Sequence, residues 1–414
     1  MKPGVTLYPY QEEGRDFILT HRHVLIGDEM GLGKTIQALA VMERVTGSIV
    51  VVCPASMRDT WHKEIAKFTD LEGVIVVSYG GLEKMLPVPN IQMIVFDEAH
   101  YLKNVLAKRT VIAHEFVHKH GPKYCVLLTG TPIRNCVGEF YSLLKLLTTQ
   151  PGVPNGLMIT EKSQYAFNLQ YSNAEFEKIH VRGGGTRSVA NFSGIRNKMD
   201  LKMHLKGKYL RRTADKVLSL PSMTSTFIDL SKGRDPDLLL YEAFQDWLDT
   251  GKMTKHITHM KMTSAMAKVA YTVPFVRNIV EQGEQVIVFT DHIDPAIGLV
   301  RGITEKGLCS VGCITGSVSQ EDRTSLIELF QAGEIQVLVC TIRTAGIGLT
   351  LTASRICVFN DISWVPADID QAKKRIHRIG QDRPCMIYHI TQGSFDESIQ
   401  RTVMRKAKLV KEIL

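Results

Sequence analysis

Apolar residues fall along this chain in two rhythms. Short unbroken runs at 24–26, 49–52, 74–77, 91–96 and 124–128 read as strands buried on both faces. Between them apolar positions recur at helical spacing. Trp61, Ile65 and Phe68 stand at i, i+4 and i+7 within 57–68, and Phe17, Ile18 and Leu19 continue a helix opened by Tyr8-Pro9-Tyr10-Gln11. Strands alternating with helices predict a parallel sheet covered on both faces, with ligands at the carboxyl ends of its strands. The pattern breaks over about 150–205, a polar stretch containing Gly183-Gly184-Gly185 that reads as a partly mobile insertion. A second α/β set follows, with strands at 286–289, 310–314, 337–340 and 355–359. Residues 395–414 predict a basic helix carrying Arg401, Arg405, Lys406, Lys408 and Lys411. The expected division is 1–221, including the insertion, and 222–414.

A single core seldom exceeds about 250–300 residues, so 414 residues agree with two lobes. A net charge of +8 and pI near 8.9 permit a polyanionic partner without requiring one. No apolar run approaches the ~20 residues that span a bilayer, and no apolar signal segment follows Met1-Lys2-Pro3-Gly4. The eight cysteines are scattered, several within apolar runs, as small buried hydrophobes of a reducing compartment.

Candidate chemistry gathers at the strand ends. Asp28-Glu29-Met30-Gly31-Leu32-Gly33-Lys34-Thr35 lies between a strand and a helix. Such a turn aims N–H groups at a phosphate, with Lys34 for the β and γ phosphates and Thr35 for Mg²⁺. Gly31 and Gly33 let the backbone approach closely. Asp28 stands where the strict phosphate-loop pattern has glycine. Asp97-Glu98 closes another strand and offers one carboxylate to Mg²⁺ and one to an attacking water. Gln371, Arg375 and Arg378 are spaced i, i+4, i+7 for one helix face, from which two guanidiniums could reach a γ-phosphate. His114-Glu115-Phe116-Val117-His118 matches a zinc-protease pattern, but a convergent third ligand is lacking, and the expected reading is a surface helix with its histidines in water. Trp364, beside Val365-Pro366 after a strand, is either packed or free to stack on a base.

The ordered series resembles the Swi/Snf-type superfamily-two ATPases, which are duplex-DNA translocases. It comprises Tyr10-Gln11, the Asp28-to-Thr35 loop, Trp61, Asp97-Glu98-Ala99-His100, Thr129-Gly130-Thr131-Pro132, Leu210-Arg211-Arg212, Thr315-Gly316-Ser317 with Arg323, Thr341 to Thr350, and Gln371 to Gln381. The family's own loop carries Asp at the position of Asp28. Phe192-Ser193-Gly194 with Asn197 resembles the annealing-helicase, fork-remodelling subgroup. Val365 stands where the family has Asn, and Thr341 where it often has Ser.

The resemblance implies two RecA-like lobes with a composite ATP site between them. Gln11 would read adenine. Asp28, Gly31, Leu32, Gly33, Lys34 and Thr35 would form the phosphate loop, and Thr35 and Asp97 the Mg²⁺ site. Lys34, Asp97, Glu98, Arg375 and Arg378 would be catalytic, with Gly346 and Gln371 contributing from the second lobe. Ser56, Ser78, Tyr79, Thr129, Gly130, Thr131, Gly316, Thr341 and Trp364 would contact DNA. The implied activity is ATP-driven translocation on duplex, forked or branched DNA, beside recombination or replication proteins, in the cytoplasm, nucleoid or a viral host's cytoplasm. The alternative is a strand-separating DNA or RNA helicase, although such enzymes usually carry Ser-Ala-Thr in place of Thr129-Gly130-Thr131.

Overall fold

The structure is a computed structural model that describes residues 1–134, 136–148, 163–181, 185–230, 255–305, 307, 309–345 and 350–413. It divides into two compact units, one of Met1–Leu218 with Lys408–Leu414 and one of Ser219–Ala407.

The first unit is built on β1 (His23–Ile26), β2 (Ser48–Cys53), β3 (Ile75–Ser78), β4 (Ile91–Asp97), β5 (Tyr124–Leu128) and β8 (Tyr209–Leu210). They form one six-stranded parallel sheet in the order β3-β2-β4-β5-β1-β8. Its inner strands are mostly apolar because both faces are covered. Val24, Ile26, Val51, Val95 and Val126 enter one core, and Leu25, Val50, Ile94, Phe96 and Leu127 the other. Helices α1 (Pro9–His21), α2 (Lys34–Met42), α3 (Arg58–Phe68), α4 (Lys108–His120) and α5 (Glu139–Thr148) belong to the same unit.

The insertion is more structured than its polarity suggests. Its described residues form α6 (Gln164–Tyr171), an antiparallel ribbon of β6 (Asn173–Val181) and β7 (Gly185–Ser193), and α7 (Lys198–Leu205). Phe167, Tyr171, Leu201 and Leu205 are buried in the core of the unit, which anchors both helices. Gly183 and Gly184 lie outside the described residues. A short helix, α8 (Ala214–Val217), closes the unit.

The second unit repeats the plan with β9 (Met223–Asp229), β10 (Val286–Thr290), β11 (Val311–Ile314), β12 (Val337–Thr341), β13 (Ile356–Phe359) and β14 (Cys385–Thr391), parallel in the order β11-β12-β10-β13-β14-β9. Its helices are α9 (Lys255–Glu281), α10 (Ile293–Thr304), α11 (Gln320–Gln331), α12 (Ile342–Ala345), α13 (Pro366–Lys373) and α14 (Gly393–Ile413) as far as Ala407, the last turns of α14 being counted with the first unit. Two strands of this sheet, β9 and β14, were not anticipated. β9 runs Thr224-Ser225-Thr226-Phe227 with all four side chains exposed, as suits an edge strand.

Candidate active site

Strand register assembles the first unit's site. Ile26 pairs with Leu128, Leu128 with Asp97, and Ile26 with Leu210. The turns after β1, β4, β5 and β8 therefore leave the sheet at one level. This brings together Asp28, Asp97-Glu98, Thr129-Gly130 and Arg211-Arg212, which are up to 184 residues apart in the chain. Gly31 (φ 86°) and Gly33 (φ 71°) take left-handed conformations, and Gly33 caps α2. The Lys34 ammonium donates to the carbonyls of Asp28 (2.8 Å) and Glu29 (3.3 Å). Burial pushes its pKa down, against the opposing charges of Glu98, Asp28 and Asp97. Leu32 lies in the turn, fully buried, and Thr35 is the second residue of α2.

Asp97 is held from two sides. The Trp61 indole N–H donates to Oδ2 at 2.8 Å and the Glu98 N–H to Oδ1 at 2.9 Å. Its pKa is nevertheless pushed up to about 6, first by burial and then by the neighbouring Glu98 carboxylate. Glu98 has a left-handed backbone (φ 50°), unusual for a residue with a side chain. Its Oε2 lies 3.1 Å from His100 Nδ1, which also lies 3.1 Å from Thr129 Oγ1. A single ring N–H serves only one of these two oxygens at full strength, so His100 links the acidic turn to the turn after β5.

Several of the expected site residues are engaged within the chain. Asp28 is fully buried and faces Arg212: Arg212 Nε lies 3.1 Å from Oδ1, a terminal nitrogen lies 2.6 Å from Oδ2, and Gln37 Nε2 donates to Oδ2 at 2.9 Å. Its carboxylate is committed to the chain and not offered to a phosphate. Gln11 is buried, donating from Nε2 to the Leu32 carbonyl (3.3 Å) and accepting from the Tyr8 N–H (3.1 Å). Tyr79 turns inward: its hydroxyl donates to the Asp97 carbonyl at 2.8 Å and its ring stacks on Tyr101. Its side chain is packed in the core of the unit, where a buried aromatic ring contributes most and its hydroxyl keeps a hydrogen-bond partner. Thr129 is buried on His100, and Thr131 is also buried. Ser56 and Ser78 are half-buried, with Ser78 Oγ accepting from the Gly81 N–H.

In the second unit, Gln371 ends within α13, but Arg375 and Arg378 lie in turns beyond its last residue, Lys373. The expected single helix face is therefore wrong. The Arg375 carbonyl accepts from the Leu351 N–H, and Gln381 donates to the carbonyls of Ile376, Thr352 and Ser354, which tie the chain into turns. Gln371 and Arg375 are buried and Arg378 is half-buried. Gly316 is exposed, Thr341 is buried against Thr344, and Trp364 packs edge-on to Phe395 at 6.4 Å. That packing leaves the indole partly buried, the commoner fate of a tryptophan. Gly346 lies outside the described residues.

The histidines of α4 are not both in water. His118 is exposed, but His114 is half-buried, and burial, reinforced by Lys145, pushes its pKa down to about 4. Among the described residues, the acid and imidazole groups that converge within metal-ligating distance are Asp291, His292 and Asp361, and Lys261 is already paired with Asp291.

The sequence signal for Arg212 was Asp28 itself. A carboxylate in a phosphate loop needs a nearby cation, but nothing local says which of fifty Lys and Arg residues supplies it.

A glycine loop between an interior parallel strand and a helix, with paired carboxylates ending the next strand but one, defines an α/β unit of the phosphate-loop nucleotide-binding class. The SNF2-related domain matches residues 10–86 and 74–282, and the helicase conserved C-terminal domain matches 268–380. The chain belongs to the SNF2-related family. It is 29% identical to the DNA annealing helicase and endonuclease ZRANB3 of Mus musculus over 97% of this chain and 40% of that protein. It is 27% identical to the SWI/SNF-related matrix-associated actin-dependent regulator of chromatin subfamily A-like protein 1 of Bos taurus, over 98% of this chain and 45% of that protein. The chain thus spans about two fifths of the length of these curated relatives. Among solved structures, the Sulfolobus solfataricus SWI2/SNF2 ATPase core in complex with dsDNA is 22% identical, covering 100% of this chain and 94% of that one at a TM-score of 0.42. No described helix is long and apolar enough to cross a membrane.

Proposed function

We propose that this chain is a DNA-dependent ATPase that moves along duplex DNA and acts on forked or branched structures. The observation that carries the reading is the register that brings the Lys34 loop, Asp97-Glu98 and Thr129-Gly130 to one end of one sheet, within a chain of the SNF2-related family. The two relatives above include a named annealing helicase, which supports the choice of forked substrates.

The residues suit Mg-ATP. Thr35 and Asp97 offer the hard oxygen donors that Mg²⁺ takes, and a buried carboxylate beside a second one, with its pKa near 6, is an environment that a cation relieves. Bound there, the ion would neutralise charge building on the phosphates. Lys34 binds the β and γ phosphates on leaving the Asp28 and Glu29 carbonyls. Glu98 orients the attacking water. Trp61 keeps Asp97 from rotating. Arg375 and Arg378 serve the γ-phosphate during turnover, and Gln11 and Gln371 bind the nucleotide. Ser56 and Ser78, half-buried, and Gly316, exposed, offer small hydroxyl or backbone groups suited to phosphate contacts that are made and broken at each step.

The deciding measurement is ATP hydrolysis with single-stranded, duplex, forked and four-way DNA. Stimulation by duplex, forked and four-way DNA well above the single strand is the expected result. Hydrolysis indifferent to every DNA, or stimulated by single strands alone, overturns it.

A further inference from the structure

We propose that Arg212 is a positioning residue of the phosphate loop, acting through Asp28; the proposal rests on the nucleotide-binding reading of that loop. Strand β8 is only two residues long, yet its ladder continues past the sheet. The Gly27 N–H donates to the Leu210 carbonyl at 2.7 Å, and the Glu29 N–H to the Arg212 carbonyl at 2.9 Å. The start of the loop is thus paired as if it were strand. The side chains repeat the connection. Arg212 makes two contacts to the two Asp28 oxygens, while its own N–H donates to Oδ1 at 3.0 Å. Gln37, from the first turn of α2, closes the triangle by donating to Asp28 Oδ2 and accepting from Arg212 at 3.0 Å. Arg212 also donates to the Tyr10 carbonyl. Four elements therefore meet on one guanidinium: α1, the loop, α2 and the segment after β8.

The consequence lies in the peptide and not in the carboxylate. The Asp28 carbonyl accepts from the Lys34 ammonium. Fixing the Asp28 side chain fixes that carbonyl, and with it the place from which Lys34 departs toward a phosphate. Arg211 adds a second tie, donating to the carbonyls of Gly27 (3.0 Å) and Gly130 (3.3 Å). Space for the network comes from Gly14 on α1. A Cβ there would lie 1.8 Å from Gln37 Oε1 and 2.8 Å from the Arg212 terminal nitrogen. A guanidinium is required because its planar fork meets two carboxylate oxygens and an amide at once, and a lone ammonium does not.

The test measures binding of a fluorescent ATP analogue, and ATPase KM and kcat, on the whole chain. Wild type must bind the analogue, and a wild type that does not bind removes the nucleotide reading itself. Given binding, Arg212→Ala is expected to weaken analogue affinity and raise KM about tenfold or more, as loss of an outer-shell partner does, with kcat at saturation within about threefold. Arg212→Lys should fall between the two. Gly14→Ala, which deletes no charge, should weaken binding in the same direction. Asp28→Asn combined with Arg212→Ala should be no worse than the weaker single variant, because both act through one link. If Arg212→Ala does not fold, Arg212→Lys and Gly14→Ala decide. Wild-type affinity and KM in those two, or strictly additive losses in the pair, overturn the proposal.

Discussion

The two units each run a strand–turn–helix off an interior strand of a six-stranded parallel sheet, β1 in one and β10 in the other, and fill the turn differently. After β1 the turn is rich in glycine, two of its residues are left-handed, and α2 starts on Gly33. After β10 it is Asp291-His292, and α10 starts on His292 with an extended backbone. The Asp291 N–H there donates to both oxygens of Asp361 at 3.1 Å, from the end of β13. One turn carries left-handed glycines and a lysine at the start of its helix; the other has a carboxylate of the chain accepting from its backbone N–H. The fold supplies the donors in both cases. Whether they serve a ligand depends on glycine at the turn and on what the adjacent strand ends with.

The comparison breaks most sharply at Lys34. Lys34→Ala should leave no measurable ATP turnover, while Glu98→Gln should lose about 10²–10⁴-fold in rate yet still bind ATP. Steady-state turnover beside nucleotide binding checks both, and a Glu98→Gln enzyme at the wild-type rate removes the water-orienting role. Next come the arginines of the unit without a phosphate loop. Arg375→Ala or Arg378→Ala should cut DNA-stimulated turnover by about 10³-fold or more with little change in DNA affinity. A solvated basic turn would behave oppositely, with weaker, more salt-sensitive DNA binding and a normal maximal rate.

A smaller effect concerns pH. An unfolded Asp titrates near ~3.9, whereas burial and Glu98 raise Asp97 to about 6. The raised value means that the folded chain holds a proton that the unfolded chain has lost. In the metal-free protein this contribution to stability is complete below the unfolded pKa and lost as pH rises through 6. Added Mg²⁺ and ADP should therefore raise the melting temperature more at pH 7.5 than at pH 5.5, and Asp97→Asn should flatten the difference. An equal shift at both pH values in wild type would exclude Asp97 as a cation ligand. The smallest effect belongs to the closed turn. Asp361→Asn should cost about 1–3 kcal/mol in chemical denaturation, as expected for a charge-assisted hydrogen bond, with nucleotide affinity unchanged. A change in nucleotide affinity would show that the turn after β10 is not the closed counterpart it resembles.

The polar ends of apolar runs were readable from the chain because burial on both faces makes parallel strands conspicuous. Lys34, Asp97 and Glu98 were found in that way. What local pattern could not show was any property set by distant partners. Asp28 stood out only as a departure from the strict glycine pattern, and its partner Arg212 comes from the far side of the insertion. Arg375 and Arg378 kept helical spacing beyond the point where tertiary hydrogen bonds from Leu351 and Gln381 turn the chain. Tyr79 and Trp364 sit in motifs that suggest contact with a partner, but their rings are taken up by the units' own packing.

The bond from the Trp61 indole to Asp97 has an optical consequence. An indole N–H hydrogen-bonded to a carboxylate senses whether that carboxylate carries a proton, a bare charge or a cation, and its emission shifts among the three. The chain holds three tryptophans, Trp61, Trp247 and Trp364. With the latter two replaced by Phe, the remaining emission becomes an unlabelled, real-time signal from inside the candidate active site, able to follow loading and release of metal–nucleotide within a single turnover.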